Sequence, residues 1–323
     1  MVGIIISSKH DIIRMAPVVY EINDAGLNYF IVAPIDKPTD GFSELLSELS
    51  IDKRNITYRS NYLDIPRILA GKKCTMLLTV GNSTPTFMSA YYAKCAGFKV
   101  SHIDAGLRNK GSSSDNINNL LLDRLSDQLF SPTHYSTVNL LKECLGEKNM
   151  FVGSTIVSLV DDFSSVYRDR EDHIVVLLSN KDNINNHRRL KTIVNKINSL
   201  SRKHKIVFIC KSGSKSAFKG ADLHVRVRNI ISYERLIKKL VESYLVITDS
   251  GSIQEETCIL KKRCLVISDN TDRIETLGLN ARLCEPCNIV DKTERALSTT
   301  RMIDYEEHPY GHMAETKIIK TLF

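Results

Sequence analysis

Apolar and polar positions change period repeatedly along the chain. Residues 2–7 form a β-branched apolar run, which reads as a buried strand. Over 11–23 the apolar residues Ile12, Ile13, Met15, Ala16, Val18, Val19 and Ile22 spread at helical spacing. The same alternation continues with strands at 29–33, 55–58, 75–80 and 98–103, and helices at 42–49, 85–96, 120–125 and 135–145. A second series starts near Ile174, with strands at 174–178, 205–210 and 244–248 and helices at 188–200 and 233–243. Residues 223–227 alternate, and suggest a sheet edge or a less buried strand. Residues 180–186 are rich in asparagine and read as a loop or turn cluster. Repeated strand-then-helix order predicts an α/β protein with parallel sheets and helices on both faces. The two series meet over 154–172, polar and charged from Asp161 on, so two domains are expected, 1–166 and 167–323.

The second series reaches its clearest chemistry at 249–275. An apolar strand gives way to Asp249, Ser250, Gly251 and Ser252, and a helix can start at Ile253. A strand, a small-residue turn and a helix start make an anion site, because free N–H groups and the positive end of the helix dipole point the same way. Gly251 lets a diphosphate approach the backbone, and Ser250 and Ser252 are able to cap the helix or donate to phosphate. Glu255 and Glu256 fall in the first turns, where acids are favoured. Arg273 follows the next apolar run and is expected at the mouth of the adjacent strand. Local pattern leaves open the plainer alternative of a capped helix with dipole-facing glutamates.

Composition narrows the class. The 323 residues are 42% hydrophobic and 25% charged, which is ordinary for a globular protein and argues against disorder. The formal charge of +7 is scattered, with no basic run flanked by aromatics, so it suits an anionic substrate and does not suggest nucleic acid. No stretch approaches the ~20 apolar residues of a membrane span. Eight cysteines without a signal peptide suggest a reducing cytoplasm. Cys284 and Cys287 form a lone C-x-x-C with no second ligand pair, so neither metal nor cofactor is expected.

Several segments resemble, in order, those of the non-hydrolysing UDP-N-acetylglucosamine 2-epimerase family. D-S-G-S-I-Q-E-E at 249–256 is similar to the family's D-S-G-G-I-Q-E-E, with Ser252 in place of glycine. D-N-T-D-R-I-E at 269–275 is similar to its D-T-T-E-R-P-E, with Ile274 in place of proline. Residues 8–17 resemble G-T-R-P-E-A-I-K-M-A-P, 81–84 G-D-T-T, 102–108 H-V-E-A-G-L-R, 153–156 G-N-T-V and 308–311 N-P-Y-G. L-F-S-P-T at 129–133 and N-L-L-K-E at 139–143 have counterparts too.

The resemblance implies a GT-B fold: two Rossmann-like parallel-sheet domains, an active site in the cleft between them, and a last helix crossing back. It also implies a UDP-sugar substrate, and extends weakly to a homodimer. The implied reaction interconverts UDP-N-acetylglucosamine and its manno epimer by eliminating UDP to a glycal and adding it back. In that scheme Ser250, Gly251 and Ser252 meet the diphosphate, Glu256 takes the ribose, and Arg273, Lys9 and Arg14 supply positive charge. Arg14 also reads as part of a solvated helix face.

The carboxylates that would move the C2 proton are only partly kept. Asp104 replaces a glutamate, Asp115 aligns with one acid, and Asn82 stands where the family has a catalytic aspartate. An amide is no general base. Asn180 falls where the family has a histidine, and His102 reads as a structural residue at a strand end. Two further readings stay open: a UDP-sugar-binding protein of this fold with weak or no turnover, and a GT-B glycosyltransferase.

Overall fold

The computed structural model describes residues 1–109, 114–168, 172–210, 218, 222–229, 232–298, 303 and 305–323; the side chains of Asp115 and Asn229 also lie outside the description. The chain divides into two compact units, Met1–Leu159 with Pro309–Phe323, and Val160–His308.

The first unit alternates strand and helix: β1 (Val2–Ile5), α1 (Lys9–Asp24), β2 (Tyr29–Ala33), α2 (Phe42–Glu48), β3 (Ile56–Tyr58), α3 (Ile65–Gly71), β4 (Met76–Val80), α4 (Thr84–Cys95), β5 (Lys99–Ile103), α5 (Ser114–Leu125), β6 (Gln128–Ser131), α6 (His134–Lys142), β7 (Asn149–Phe151) and α7 (Ile156–Ser165). The strands form one sheet in the order β3-β2-β1-β4-β5-β6-β7, and every pairing is parallel. All four residues of β1 are buried. A central strand of a parallel sheet is covered on both faces, so it reads as a continuous apolar run with no alternation. Ile5, Phe30, Val32, Leu77 and Val100 from the strands pack with Ile65, Leu69, Ala90, Ala93 and Leu122 from the helices. A capping box starts α1: the Ser8 side chain accepts from the Asp11 amide, and Asp11 reaches back to the Ser8 amide.

The second unit runs β8 (His173–Leu178), α8 (Lys181–Ile184), α9 (His187–Ser201), β9 (Ile206–Cys210), β10 (Val227–Asn229), α10 (Tyr233–Val241), β11 (Ser243–Thr248), α11 (Gly251–Ile259), β12 (Cys264–Val266), β13 (Ala281–Leu283) and α12 (Ile289–Ser298). Its sheet is parallel, in the order β10-β9-β8-β11-β12-β13. Ile174, Val176, Leu178, Phe208, Leu245 and Ile247 meet Leu190, Ile193, Val194 and Ile197 of α9 in its core. The final helix, α13 (Ala314–Leu322), belongs to the first unit and packs on α1.

Several elements differ from the sequence reading. The strand expected at 223–227 begins only at Val227, and pairs with β9 at the sheet edge. The helix expected from 120 begins at Ser114, six residues earlier, because its first turns carry polar asparagines that hide helical spacing. The asparagine cluster is no plain loop: Asn180 caps α8 and Asn186 caps α9, each accepting a backbone N–H with its side chain. The short strands β6, β7 and β13 were not anticipated, because three or four residues carry too little periodicity to stand out, and neither were the helices α3 and α7.

In each sheet the strand order turns back at one central pair, β1 with β4 and β8 with β11. Ligands of open parallel sheets bind beyond the carboxyl ends of the strands at such a switch point.

Candidate active site

In the first unit, the loops after β1 and β4 meet at the switch point. The hydroxyls of Ser7 and Ser83 lie 2.7 Å apart, and Thr86 donates to Ser7 at 3.0 Å. Asp11 accepts from the amide and hydroxyl of Ser7 at 2.8 and 2.7 Å, and from those of Ser8 at 3.0 and 2.9 Å. Burial still pushes its carboxyl above the usual range, outweighing those bonds. Gly81 has φ +78°, and a Cβ there would stand 2.8 Å from Asp11 Oδ1. The turn that carries Asn82 therefore requires glycine before it.

Asn82 is half-buried, and Asn118 of α5 donates to its carbonyl at 2.9 Å. Among the described residues the Asn82 side-chain amide has no hydrogen-bond partner. One strand over, Asp104 follows β5, with Ile103 in register with Val80. Asp104 takes φ +65°, the left-handed region that a non-glycine residue seldom occupies. Its Oδ2 lies 2.6 Å from Arg14 Nη1, the two side chains being 4% and 1% exposed. Its Oδ1 is buried with no protein partner among the described residues. Arg14 Nε also donates to His10 Nε2 at 3.1 Å. The alternative of a solvated helix face for Arg14 is thereby overturned; helical periodicity could not show that Asp104 would meet it. Lys9 donates from Nζ to the Asp40 carbonyl at 3.0 Å on the exposed side of α1. Asp115 lies in the first turn of α5, but its side chain is outside the described residues.

A second buried cluster flanks Asp104. His102 Nδ1 and Asp123 Oδ1 are 2.7 Å apart and both side chains are fully buried. The Gly106 amide donates to Asp123 Oδ2 at 3.0 Å, and Arg108 Nη2 lies 2.8 Å from the same oxygen. Arg108 also holds Glu143 through two bonds of 2.8 Å each. Burial alone would raise the Asp123 carboxyl; the bonds and charges of His102 and Arg108 outweigh it and hold it below the usual range. Asp123 sits in an unremarkable leucine-rich stretch of α5, so only its partners mark it out.

In the second unit, Asp249 ties the two loops of the switch point together. It accepts from the Ser179 amide at 2.7 Å and from Asn183 Nδ2 at 3.0 Å. Burial nonetheless pushes its carboxyl up. Ser250 is the N-cap residue of α11 but its side chain makes no capping bond. The plainer reading of a serine-capped helix is therefore not realised by Ser250. The N–H groups of Gly251, Ser252 and Ile253 open the helix at its positive end. A Cβ on Gly251 would stand 2.7 Å from Asp272 Oδ1, so the loop after β12 closes tightly over this start.

That loop is fastened to α11 from below. Gln254 Nε2 donates to the Arg273 carbonyl at 3.0 Å, and Thr271 donates to Gln254 Oε1 at 2.7 Å. Arg273 Nε donates to Glu255 Oε2 at 2.9 Å, with both side chains buried, and Nη1 lies 3.2 Å from Asp272. Glu256 is buried and accepts from the Tyr233 hydroxyl at 3.1 Å. Sequence reasoning missed Tyr233, Gln254 and the Glu255–Arg273 pair, since no local spacing links them. At 180, where the resembled family has a histidine, Asn180 accepts from the Asp182 amide at 2.9 Å.

The cysteines are free thiols, Cys284 buried and Cys287 exposed. Burial pushes the Cys284 thiol up to about 11. Among the described residues no cluster of three His, Cys, Asp or Glu could hold a metal ion, and no helix is long and apolar enough to cross a membrane.

Two Rossmann-like parallel sheets, with an open helix start at one switch point and buried ionic groups at the other, put the chain in the GT-B fold class. A family model described as UDP-N-acetylglucosamine 2-epimerase matches residues 48–323, and the chain belongs to that family. A UDP-N-acetylglucosamine 2-epimerase of Methanococcus maripaludis is 27% identical over an alignment covering 98% of this chain and 96% of its own. The fold matches a Methanocaldococcus jannaschii UDP-GlcNAc 2-epimerase crystallised with UDP-GlcNAc and UDP, at TM-score 0.86 and 24% identity over 99% of both chains. It also matches the Neisseria meningitidis UDP-GlcNAc 2-epimerase bound to UDP-GlcNAc, at TM-score 0.86 and 22% identity over 99% of both chains.

Proposed function

We propose that the chain is an isomerase that interconverts UDP-N-acetylglucosamine and UDP-N-acetylmannosamine. The observation that supports this best is Asp104: a buried carboxylate with one oxygen on Arg14 and the other unpartnered among the described residues, beyond the carboxyl end of a central strand.

C2 of the sugar has no adjacent carbonyl, so simple deprotonation is hard. In the forward half-reaction a base takes the C2 proton, the C2–H electron pair becomes the C1–C2 double bond, and UDP leaves with the C1–O pair. In the return, a proton adds to C2 from the opposite face while a UDP oxygen re-forms the bond at C1. Atoms balance, and only the configuration at C2 changes. Asp104 handles the proton on one face, with Asp115 as the second carboxylate. Asn82 orients the substrate through its amide. The α11 amides at Gly251 and Ser252, with the Ser250 hydroxyl, hold the departing diphosphate. Glu256 takes the ribose hydroxyls, while Arg273, Lys9 and Arg14 supply positive charge. The enzyme acts in the cytoplasm, without a cofactor, as a homodimer.

The names of the related proteins do not favour binding alone or glycosyl transfer. Incubation with UDP-N-acetylglucosamine in D2O, followed by NMR, tests the reading. Epimerisation places deuterium at C2 and produces the manno epimer; UDP binding with no label at C2 would refute it. Light scattering of the purified protein reads the dimer.

A further inference from the structure

We propose that Asp123 is a positioning residue for this reaction: it clamps both arms of the turn that carries Asp104 and so sets where that carboxylate stands. The inference rests on the role given to Asp104 above, and deepens it.

Asp104 sits in the left-handed region at φ +65°. Such a conformation persists in a non-glycine residue only where its surroundings over-determine it. Here they do. Three donors from the two arms of the turn converge on one carboxylate of α5. His102, two residues before Asp104, meets Oδ1 at 2.7 Å. Gly106, two residues after, donates its amide to Oδ2 at 3.0 Å. Arg108, two further on, reaches the same oxygen at 2.8 Å. Asn139 of α6 holds the Gly106 carbonyl at 2.9 Å, and Ala105 donates to the Phe130 carbonyl at 3.0 Å. Gly106 has φ +81°, and a Cβ there would meet the Ser136 carbonyl at 2.4 Å, so the turn packs directly against α6.

The clamp has its own charge balance. Arg108 lies between Asp123 and Glu143, and Arg14 pairs with Asp104. Asp123 therefore acts on Asp104 through the backbone, by holding the turn, and not by neutralising its charge. His102 Nε2 is buried with no partner among the described residues, and the ring's other nitrogen faces Asp123. The imidazole serves as one arm of the clamp by donating from Nδ1 to the carboxylate.

The test compares Asp123→Asn with wild type, with kcat normalised to the number of UDP-binding sites found by calorimetry. Asn keeps the volume but turns an N–H group toward the converging donors. A misplacement on the ångström scale costs about 10²-fold. The expected result is a fall in kcat of about that size, with KM and UDP affinity within about twofold. A merely structural role would lower the number of binding sites and leave kcat per site unchanged; that outcome overturns the proposal. His102 supplies a second pair of variants should Asp123→Asn fold poorly. His102→Asn places an N–H where imidazole Nδ1 stood, so it should keep more turnover than His102→Leu. Equal turnover in the two would remove the clamp. Hydrogen exchange at the Gly106 amide separates this idea from the reading beneath it. If wild type places no deuterium at C2 of the sugar, the assigned reaction falls, whereas the clamp still predicts faster Gly106 exchange in Asp123→Asn. Unchanged exchange there sinks the clamp whatever the reaction.

Discussion

Asn82 and Asp104 end neighbouring strands, yet they differ in what chemistry allows them. An amide accepts and donates hydrogen bonds but takes no proton from carbon, whereas the Asp104 carboxylate stands with one oxygen unpartnered among the described residues. If turnover is limited by the missing base, Asn82→Asp should raise it by about 10²-fold, the lower end of a general-base contribution. Asp104→Asn should lower it by a similar factor with UDP affinity nearly unchanged, as read by initial rates and calorimetry. It carries a second effect, because Arg14 would be left facing a neutral amide at 1% exposure. Breaking a buried ion pair by removing one partner costs roughly 3–5 kcal/mol, so urea unfolding should show a loss as well. Loss of activity in Asn82→Asp with full activity in Asp104→Asn would reassign the proton chemistry. Asp123 makes a pH prediction of definite sign. Its folded-state pKa lies below its unfolded value, so its stabilisation is present above about pH 4 and lost as pH falls through the folded value. The stability gap between wild type and Asp123→Asn should narrow on acidification, measured by unfolding at stepped pH.

At the scale of elements, the second unit builds its candidate site from one helix start and one loop. The positive end of α11 is set by its sequence, but the height of the loop over it is set by Gln254, Thr271 and the Glu255–Arg273 pair. Arg273→Ala should weaken UDP by roughly 1.5–3 kcal/mol, the scale of a charged hydrogen bond. Glu256→Ala should weaken UDP but leave free pyrophosphate little changed. Calorimetry with both ligands separates the two, and equal UDP affinity in wild type and both variants would remove this site. In the first unit, Gly106 has little freedom. A side chain there meets left-handed backbone strain and the Ser136 carbonyl, so Gly106→Ala should cost roughly 2–5 kcal/mol of stability.

For the whole molecule, the chain's last residues complete its first unit. The Ser154 amide donates to the Tyr310 carbonyl at 2.8 Å, and a Cβ on Gly153 would stand 2.4 Å from that same oxygen. Ile318 and Ile319 of α13 are buried, and Lys317 donates to the Val152 carbonyl at 3.1 Å. Burying a large aliphatic side chain is worth about 1.5–3 kcal/mol, so deleting Pro309–Phe323 should strip several kcal/mol from this unit. Hydrogen exchange should then rise in α1 and β7. Unchanged protection in both would show that the last segment is dispensable.

The local order of strands and helices was legible because it rests on periodicity, and periodicity is written in consecutive residues. The open helix start at Gly251 was legible for the same reason: a strand, a small-residue turn and a helix follow one another directly. So was the amide at 82, since a residue's proton chemistry belongs to its type. Tertiary structure decided the rest. Arg14 read equally as a substrate-facing charge and as part of a solvated helix face until Asp104 came against it, and Asp123 looked like any polar residue of a helix until three donors converged on it. Arg273 and Glu255 became a buried pair only through the closure of a loop. A buried charge is tolerated where a partner meets it. That partner comes from a different strand or helix, and only the folding of the sheet brings it near.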